Sequence, residues 1–362
     1  MRTETELTRQ KIIRLLSLTD LDEQQSLFKR AYAVKVDQHG KNVNLRGLIE
    51  FSNQCTKNCL YCGIRSCNSK VARYCMTDEE VLEVVEFARA KELKGIVLQS
   101  GERSDTDFID RITNLIGKIK ARTEDHFRIT LSVGEQKPET YKRWYQAGAQ
   151  RYLLRIETSD EMLYKSIHPD DGNHSFDKRL RCLDAIQQAG YQTGTGVMIG
   201  LPGQTVENLA DDLLFIQHKR IDMVGMGPYL EHTQTPLYTY KEDRLPLLER
   251  FELSLRMIAV LRLMIPTINI VSSTALQSII PTGREFGLKA GANVLMPNLT
   301  PLKYRREYLL YEHKPCLDQE AEETLENLFL RIHKIGEQIV YNDFGDSIHY
   351  INRQTTINTQ EV

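Results

Sequence analysis

Three cysteines stand first among the residues able to do chemistry. Cys55-Thr-Lys-Asn-Cys59-Leu-Tyr-Cys62 is a C-x3-C-x2-C triplet, and three thiolates on one tight loop can take three corners of a cubane iron–sulfur cluster. The fourth iron then has no ligand from this loop, and an open position is what a metal centre needs to bind a substrate directly. The competing arrangement is a structural zinc, which wants four closed ligands, with Cys67 or Cys75 as the fourth. Zinc ligands usually come as paired knuckles, and no second knuckle follows. Tyr61 and Gly63 suit the cluster, because an apolar ring would shield it and a glycine would let the backbone approach. Five of the seven cysteines fall between positions 55 and 75, and an odd count in a chain of 362 residues argues against a secreted disulfide framework.

Other chemically capable residues close short apolar runs. Gln99 and then Ser100-Gly101-Glu102 end one such run, which reads at its plainest as a strand-to-loop turn with Gln99 facing inward. In Arg155-Ile156-Glu157, strand alternation puts the arginine and the carboxylate on one face. Inward charges are costly unless they are paired or meet a polar ligand. The stretch Gly194 to Thr205 is glycine-rich, but its spacing is not G-x-G-x-x-G and a strand occupies it, so it is no dinucleotide loop. Glycines in a strand more often mark close approach to a ligand. Thr130, Ser132, Thr274, Met296, Tyr308 and Tyr311 complete a candidate cavity, Arg155 included. For the two tyrosines, a stripe on a helix packed under the sheet is the alternative.

The elements that must position these residues alternate. Strands are expected near Val43–Phe51, Gly95–Gln99, Arg128–Val133, Arg151–Ile156, Gly194–Ile199, Asp222–Met226, Thr267–Val271 and Asn293–Met296. Between them lie amphipathic stretches at Asp78–Lys91, Asp107–Ala121, Pro138–Ala147, Phe176–Ala189, Val206–His218, Leu245–Ile265 and Arg284–Lys289. Eight βα units predict an α/β fold, a (βα)8 TIM-type barrel, with an open doubly wound sheet as the alternative. The expected organisation is a helical extension over 1–40, the barrel over 41–317, and a C-terminal helix (Glu320–Ile335) with a polar tail over 318–362, its last dozen residues loosely held. With 47 basic and 49 acidic residues the net charge is −2, which gives no footprint for nucleic acid or an anionic membrane. The amino terminus MRTETELTRQ has no apolar leader, and no run approaches the roughly 20 apolar residues of a membrane span. A cytoplasmic protein is expected.

The triplet, with an aromatic before its last cysteine and at the end of the first strand, resembles the signature of radical S-adenosylmethionine (SAM) enzymes. The blocks EFSNQCTKNCLYCGIR, IVLQSGE, RYLLRIET, MIGLPGQT, DMVGMGPY and GANVLMPN are similar to the FeFe-hydrogenase maturases of the biotin synthase-like branch, over about Asn44 to Cys316. The resemblance implies one 4Fe–4S cluster on Cys55, Cys59 and Cys62, with its open iron exchangeable with SAM. It implies SAM contacts from Tyr61, Gln99, Ser100, Gly101, Glu102, Glu157 (ribose), Arg179 (carboxylate), and Met198 and Leu201 (adenine). A solvated helix face is the alternative for Arg179, and ordinary barrel packing for Met198 and Leu201. It also implies a small organometallic substrate carrying iron, cysteine, carbonyl and cyanide, other hydrogenase maturases as partners, and an electron donor such as ferredoxin or flavodoxin. A methylornithine synthase-like mutase and a non-catalytic iron–sulfur carrier are the rival functions.

Many such maturases carry a second cluster on a C-terminal cysteine triplet. Cys316 matches its first member, but Thr324 and Asn327 stand at the other two places. One cysteine cannot hold a cubane, so no second cluster is expected. No strand after the first contains a cysteine and Cys182 lies on a helix, which weighs against biotin synthase chemistry from a sacrificial cluster.

Overall fold

Residues 7–240, 244–341 and 343–360 are described by the computed structural model, the side chains of 356–360 excepted. The first six residues of the polar amino terminus and the last two of the tail lie outside them. Two helices, Arg9–Leu16 and Leu21–His39, precede the sheet, capped by the side chains of Thr8 and Asp20. The first strand runs Asn42–Leu45 and resumes as Gly47–Ser52, broken at Arg46. The next are Gly95–Ser100, Arg128–Ser132, Arg151–Leu153, Gln192–Thr195 with a short continuation at Met198–Ile199, Met223–Pro228, Asn269–Ser272 and Val294–Leu295.

All pairings among these strands are parallel and neighbours follow chain order. The first strand closes the ring. Its early part pairs with Val294–Leu295 and its later part with Gly95–Ser100. A further bridge joins Leu48 to Asn298. The expected barrel, not the open sheet, is what forms.

Local chemistry explains the joins. Thr77 and Glu80 form a capping box at the start of the helix Asp78–Ala90, and Thr205 with Asn208 does the same at Val206–His218. Gly148, Gly190 and Gly291 end helices with positive φ, as a left-handed C-cap requires. Alternation then divides the strands. Ile96, Leu98, Ile129, Leu131 and Val133 join the apolar core shared with the helices, while Glu50, Gln99, Thr130 and Ser132 point to the opposite, lumenal face.

Two expectations fail. The strand near Arg151–Ile156 ends at Leu153, and Glu157 adopts φ 67. The tail is not loose, because Ile348–Gln360 is a helix held by Tyr350, which donates to the Gly190 carbonyl, and by the Arg353–Asp222 ion pair. Its polarity misled because its polar groups meet the barrel. Arg151 reaches the Phe344 carbonyl and Asp346, Arg128 and Gln192 also donate to Asp346, and Arg46 and Asn269 donate to the Gly345 carbonyl. These donors stand at the starts of five strands, so residues 344–346 stopper the N-terminal mouth.

Burial by itself would favour neutral Asp346, but Arg151, Gln192 and Arg128 outweigh it and hold the carboxyl below its ordinary value. With the folded pKa below the unfolded one, this stabilisation is whole above about pH 4 and fades as pH falls through the depressed folded value. Asp346→Ala leaves Arg151, fully buried, without its carboxylate. Urea unfolding at pH 7 should show a loss of about 3 kcal/mol, shrinking in acid. A loss below about 0.5 kcal/mol would mean the stopper is not a stabilising contact.

Candidate metal centre and cofactor site

The cysteine loop leaves the first strand at Ser52 and lies at the C-terminal mouth, where a barrel gathers its functional groups. Cys55, Cys59 and Cys62 are each partly exposed as residues. Burial of the sulfurs, and then the neighbouring thiols, push Cys59 up to about 12 and Cys62 well above its ordinary value; burial also raises Cys55. Protons therefore hold these thiols unless a metal replaces them. The Glu102 N–H donates to Cys55 Sγ at 3.3 Å, the kind of backbone contact that steadies a ligating sulfur. The residues fit an iron–sulfur group. Cys75 lies elsewhere, bridged to Ser52 with its sulfur accepting from Arg111 at 2.6 Å, and Cys67 is exposed. Among the described residues no group of three or more His, Cys, Asp or Glu is placed to hold a single metal ion.

Ser100, Gly101 and Glu102 pack directly on this loop. Thr56 N–H donates to the Glu102 carbonyl, and a Cβ on Gly101 would stand 2.3 Å from the Gln54 carbonyl oxygen and 2.7 Å from Cys55 Cβ. Only glycine allows that approach. Ser100 turns back to the Gly101 carbonyl, and Gln99 reaches the Tyr308 hydroxyl at 3.4 Å.

An ionic knot lies beside the sulfurs. Lys57 from the cysteine loop meets Glu102 at 3.2 Å and Glu135 at 3.0 Å. Arg179, buried in the helix Phe176–Gln188, donates Nε to Glu135 at 2.7 Å and one terminal nitrogen to the Arg155 carbonyl at 2.9 Å. Its other terminal nitrogen is 3.8 Å from Glu102. Arg179 thus faces the site and not solvent. Burial would raise Glu135, but Arg179 and Lys57 outweigh it and hold the carboxyl at about 2. His174 accepts from Asn58 N–H through Nε2, lies 3.7 Å from Cys59 Sγ, and holds Asp171 through Nδ1. Burial pushes His168, stacked on Tyr164 and edge-on to Tyr61, down to about 3, so its ring is neutral.

Tyr61, Met198 and Leu201 come together in a small apolar cluster with Leu163, Ile167, Tyr229 and Leu237. The buried Tyr229 hydroxyl has no partner there. An apolar slab with one waiting hydroxyl suits a planar heteroaromatic group. Glu157 stands at its edge, tied to Met198 and Gly196 through the backbone. Arg155 grips Glu157 (Nε to Oε1, 2.8 Å; a terminal nitrogen to Oε2, 2.9 Å) and reaches the Gly225 carbonyl. Its side chain remains 33% exposed even so. Gly196 likewise makes room for the protein, since a Cβ would meet the Gly225 carbonyl at 2.0 Å and Arg155 at 2.6 Å.

The remaining cavity residues spread along the lumen. Thr130 is deep and its hydroxyl has no partner, while Ser132 and Met296 are half-buried. Thr274 opens the short helix Thr274–Ile279. Tyr308 and Tyr311 are on no helix, because that segment is helical only at Leu302–Arg305. Tyr308 is buried over a Glu50–Lys314 ion pair at 2.5 Å, with Asn298 donating to the same carboxylate at 3.0 Å. Sequence reasoning missed Lys57, Glu135, His174 and this lumenal pair. Glu135 was findable: it follows the third strand as Glu102 follows the second, and Gly134 (φ 84) clears space for Glu102.

A parallel barrel with three thiols gathered after its first strand is the architecture of a cluster-bearing enzyme, and the Radical SAM superfamily model matches residues 49–216. The chain is 44% identical over 313 residues to the FeFe hydrogenase maturase subunit HydE of Thermotoga maritima, covering 86% of each. It is 29% identical over 285 residues to 3-methylornithine synthase of Methanosarcina acetivorans, covering 78% of this chain and 76% of that one. The crystal structure of methylornithine synthase (PylB) matches with a TM-score of 0.79 at 25% identity, covering 93% of this chain and 95% of that one. The chain belongs to the radical SAM superfamily and, within it, to the HydE group.

Glu135→Gln should keep the iron content and the visible absorption of the reconstituted protein. Its affinity for SAM should fall by about tenfold or more, since Arg179 loses the carboxylate that aims it. Unchanged affinity in equilibrium dialysis would remove Glu135 from the site.

Proposed function

We propose that this radical SAM enzyme acts in assembly of the FeFe-hydrogenase H-cluster, on a small iron species carrying cysteine, carbonyl and cyanide ligands, towards the diiron subcluster. The observation that carries the reading is 44% identity over most of the chain to a hydrogenase maturase, together with a site whose thiols, knot and lumen are all in place. One 4Fe–4S cluster on Cys55, Cys59 and Cys62, when bound with SAM, supplies a 5′-deoxyadenosyl radical directed at the substrate cysteine sulfur.

This chain's own residues do the positioning. Arg179, oriented by Glu135, offers a guanidinium nitrogen to the SAM carboxylate, and Glu102 with the carbonyls around Gly101 accepts from its ammonium group. Glu157, locked by Arg155, accepts from the ribose hydroxyls, and Tyr61, Met198 and Leu201 bear the adenine. Below, Gln99, Thr130, Ser132 and Tyr308 present polar groups to the substrate, with Thr274, Met296 and Tyr311 around the wall. The Glu50–Lys314 pair lends that floor a fixed dipole without net charge. The stoppered N-terminal mouth keeps water from entering beneath, which protects a radical. Among the described residues no helix is long and apolar enough to cross a membrane. A cytoplasmic setting, with ferredoxin or flavodoxin as reductant and other maturases as partners, suits these features.

Cys316 stands beside Thr324 and Asn327, so a single cluster, about four irons per chain, is expected after anaerobic reconstitution. Reduction with SAM should release 5′-deoxyadenosine, lost in Cys59→Ala and kept in Cys316→Ala. No release under any reductant would make the protein a carrier. Incubation with lysine should give no methylornithine, and its formation would move the protein to the mutase group.

A further inference from the structure

Cys316 lies at the edge of a cavity of about 270 Å3 outside the barrel lumen, between the helices Gly283–Lys289 and Ala321–Lys334. The cysteine adopts φ 62, a conformation unusual for a residue with a side chain. Thr324, also on the wall, is nine-tenths buried, and its hydroxyl has no hydrogen-bond partner. An orphaned buried hydroxyl is costly unless something in the cavity answers it.

The charges around the cavity favour one sign. Arg284 is buried on its wall, and only its Nε is engaged, by Gln277 Oε1 at 2.5 Å. Its two terminal nitrogens make no hydrogen bond among the described residues. Arg305, fully buried, donates to the Cys316 carbonyl and to the carbonyls of Thr300, Gln319 and Asn298, but to no carboxylate. Arg331 is neutralised by Glu285 at 2.5 and 2.7 Å. Glu320 and Glu323 are exposed, where solvent screens them. Neither of these two buried guanidiniums beside Cys316 donates to a carboxylate.

We propose that this cavity is a binding site for a small oxyanion. The free edge of Arg284 would take two of its oxygens, and the Thr324 hydroxyl and the Asn327 amide would donate to it. A guanidinium edge matches a carboxylate or a phosphate equally well. A cation is disfavoured, because its one soft ligand would sit beside uncompensated positive charge.

The test is the alkylation rate of Cys316 in the anaerobic holoenzyme. Iodoacetamide labelling is followed by peptide mass spectrometry, with the exposed Cys67 and Cys75 as internal controls. Phosphate and acetate are titrated separately against chloride of equal ionic strength. Either anion, at millimolar concentration, should slow labelling of Cys316 about fivefold or more and leave the controls unchanged. The more protective anion identifies the phosphate-like or carboxylate source. Arg284→Gln should abolish the protection. Thr324→Val is isosteric and removes no existing bond, so it keeps the fold and should weaken the protection severalfold. Equal labelling with and without both anions overturns the proposal, as does protection unchanged in Thr324→Val. Iron bound at Cys316, seen as iron lost on Cys316→Ala, overturns it too.

Discussion

Everything at the C-terminal mouth depends on the knot of opposite charges that joins Lys57, Glu102, Glu135 and Arg179. Buried charges are costly unless paired, and here two cations and two carboxylates satisfy one another across four segments of chain. Lys57 sits between Cys55 and Cys59, so the same contacts that neutralise it fix the loop that carries the sulfurs. Arg179 arrives from a helix and Glu135 from the end of the third strand. A single electrostatic constraint therefore holds the thiols and the Arg179 guanidinium in register.

The thiols themselves add tension to that arrangement. Burial and mutual repulsion oppose their ionisation, so the loop is most stable either protonated or metal-bound. Metal binding and local order are linked in such a site. The neutral aromatic layer of Tyr61 and His168 beside it brings no competing charge.

The two ends of the barrel have different tasks. At the strand starts, Arg46, Arg128, Arg151, Gln192 and Asn269 are all satisfied by one short stretch of the C-terminal segment. At the strand ends, polar groups are left for ligands. The lumen between them is neutral overall because Glu50 and Lys314 cancel. Stability and chemistry are thereby separated along one axis, as barrels commonly arrange them.

The sequence by itself determined the barrel and the cysteine loop. Strand runs and amphipathic helices are local periodicities, and a C-x3-C-x2-C triplet carries its chemistry in its spacing. Glu102 and Glu157 could be placed at strand ends from the same patterns, while Arg179 was singled out by the family resemblance. What pairs with what was decided only by the tertiary structure. Arg155, a candidate cavity residue, also grips Glu157, because the strand ends early and the chain turns through a positive φ. The polar tail looked loose, yet its helix is pinned to the barrel through Tyr350 and Arg353. Lys57 gave no periodic signal, and its ion pair with Glu135, 78 residues away, has no trace in local spacing. Long-range pairing of buried charge is set by where the ring brings strand ends together, and that closure exists only in three dimensions.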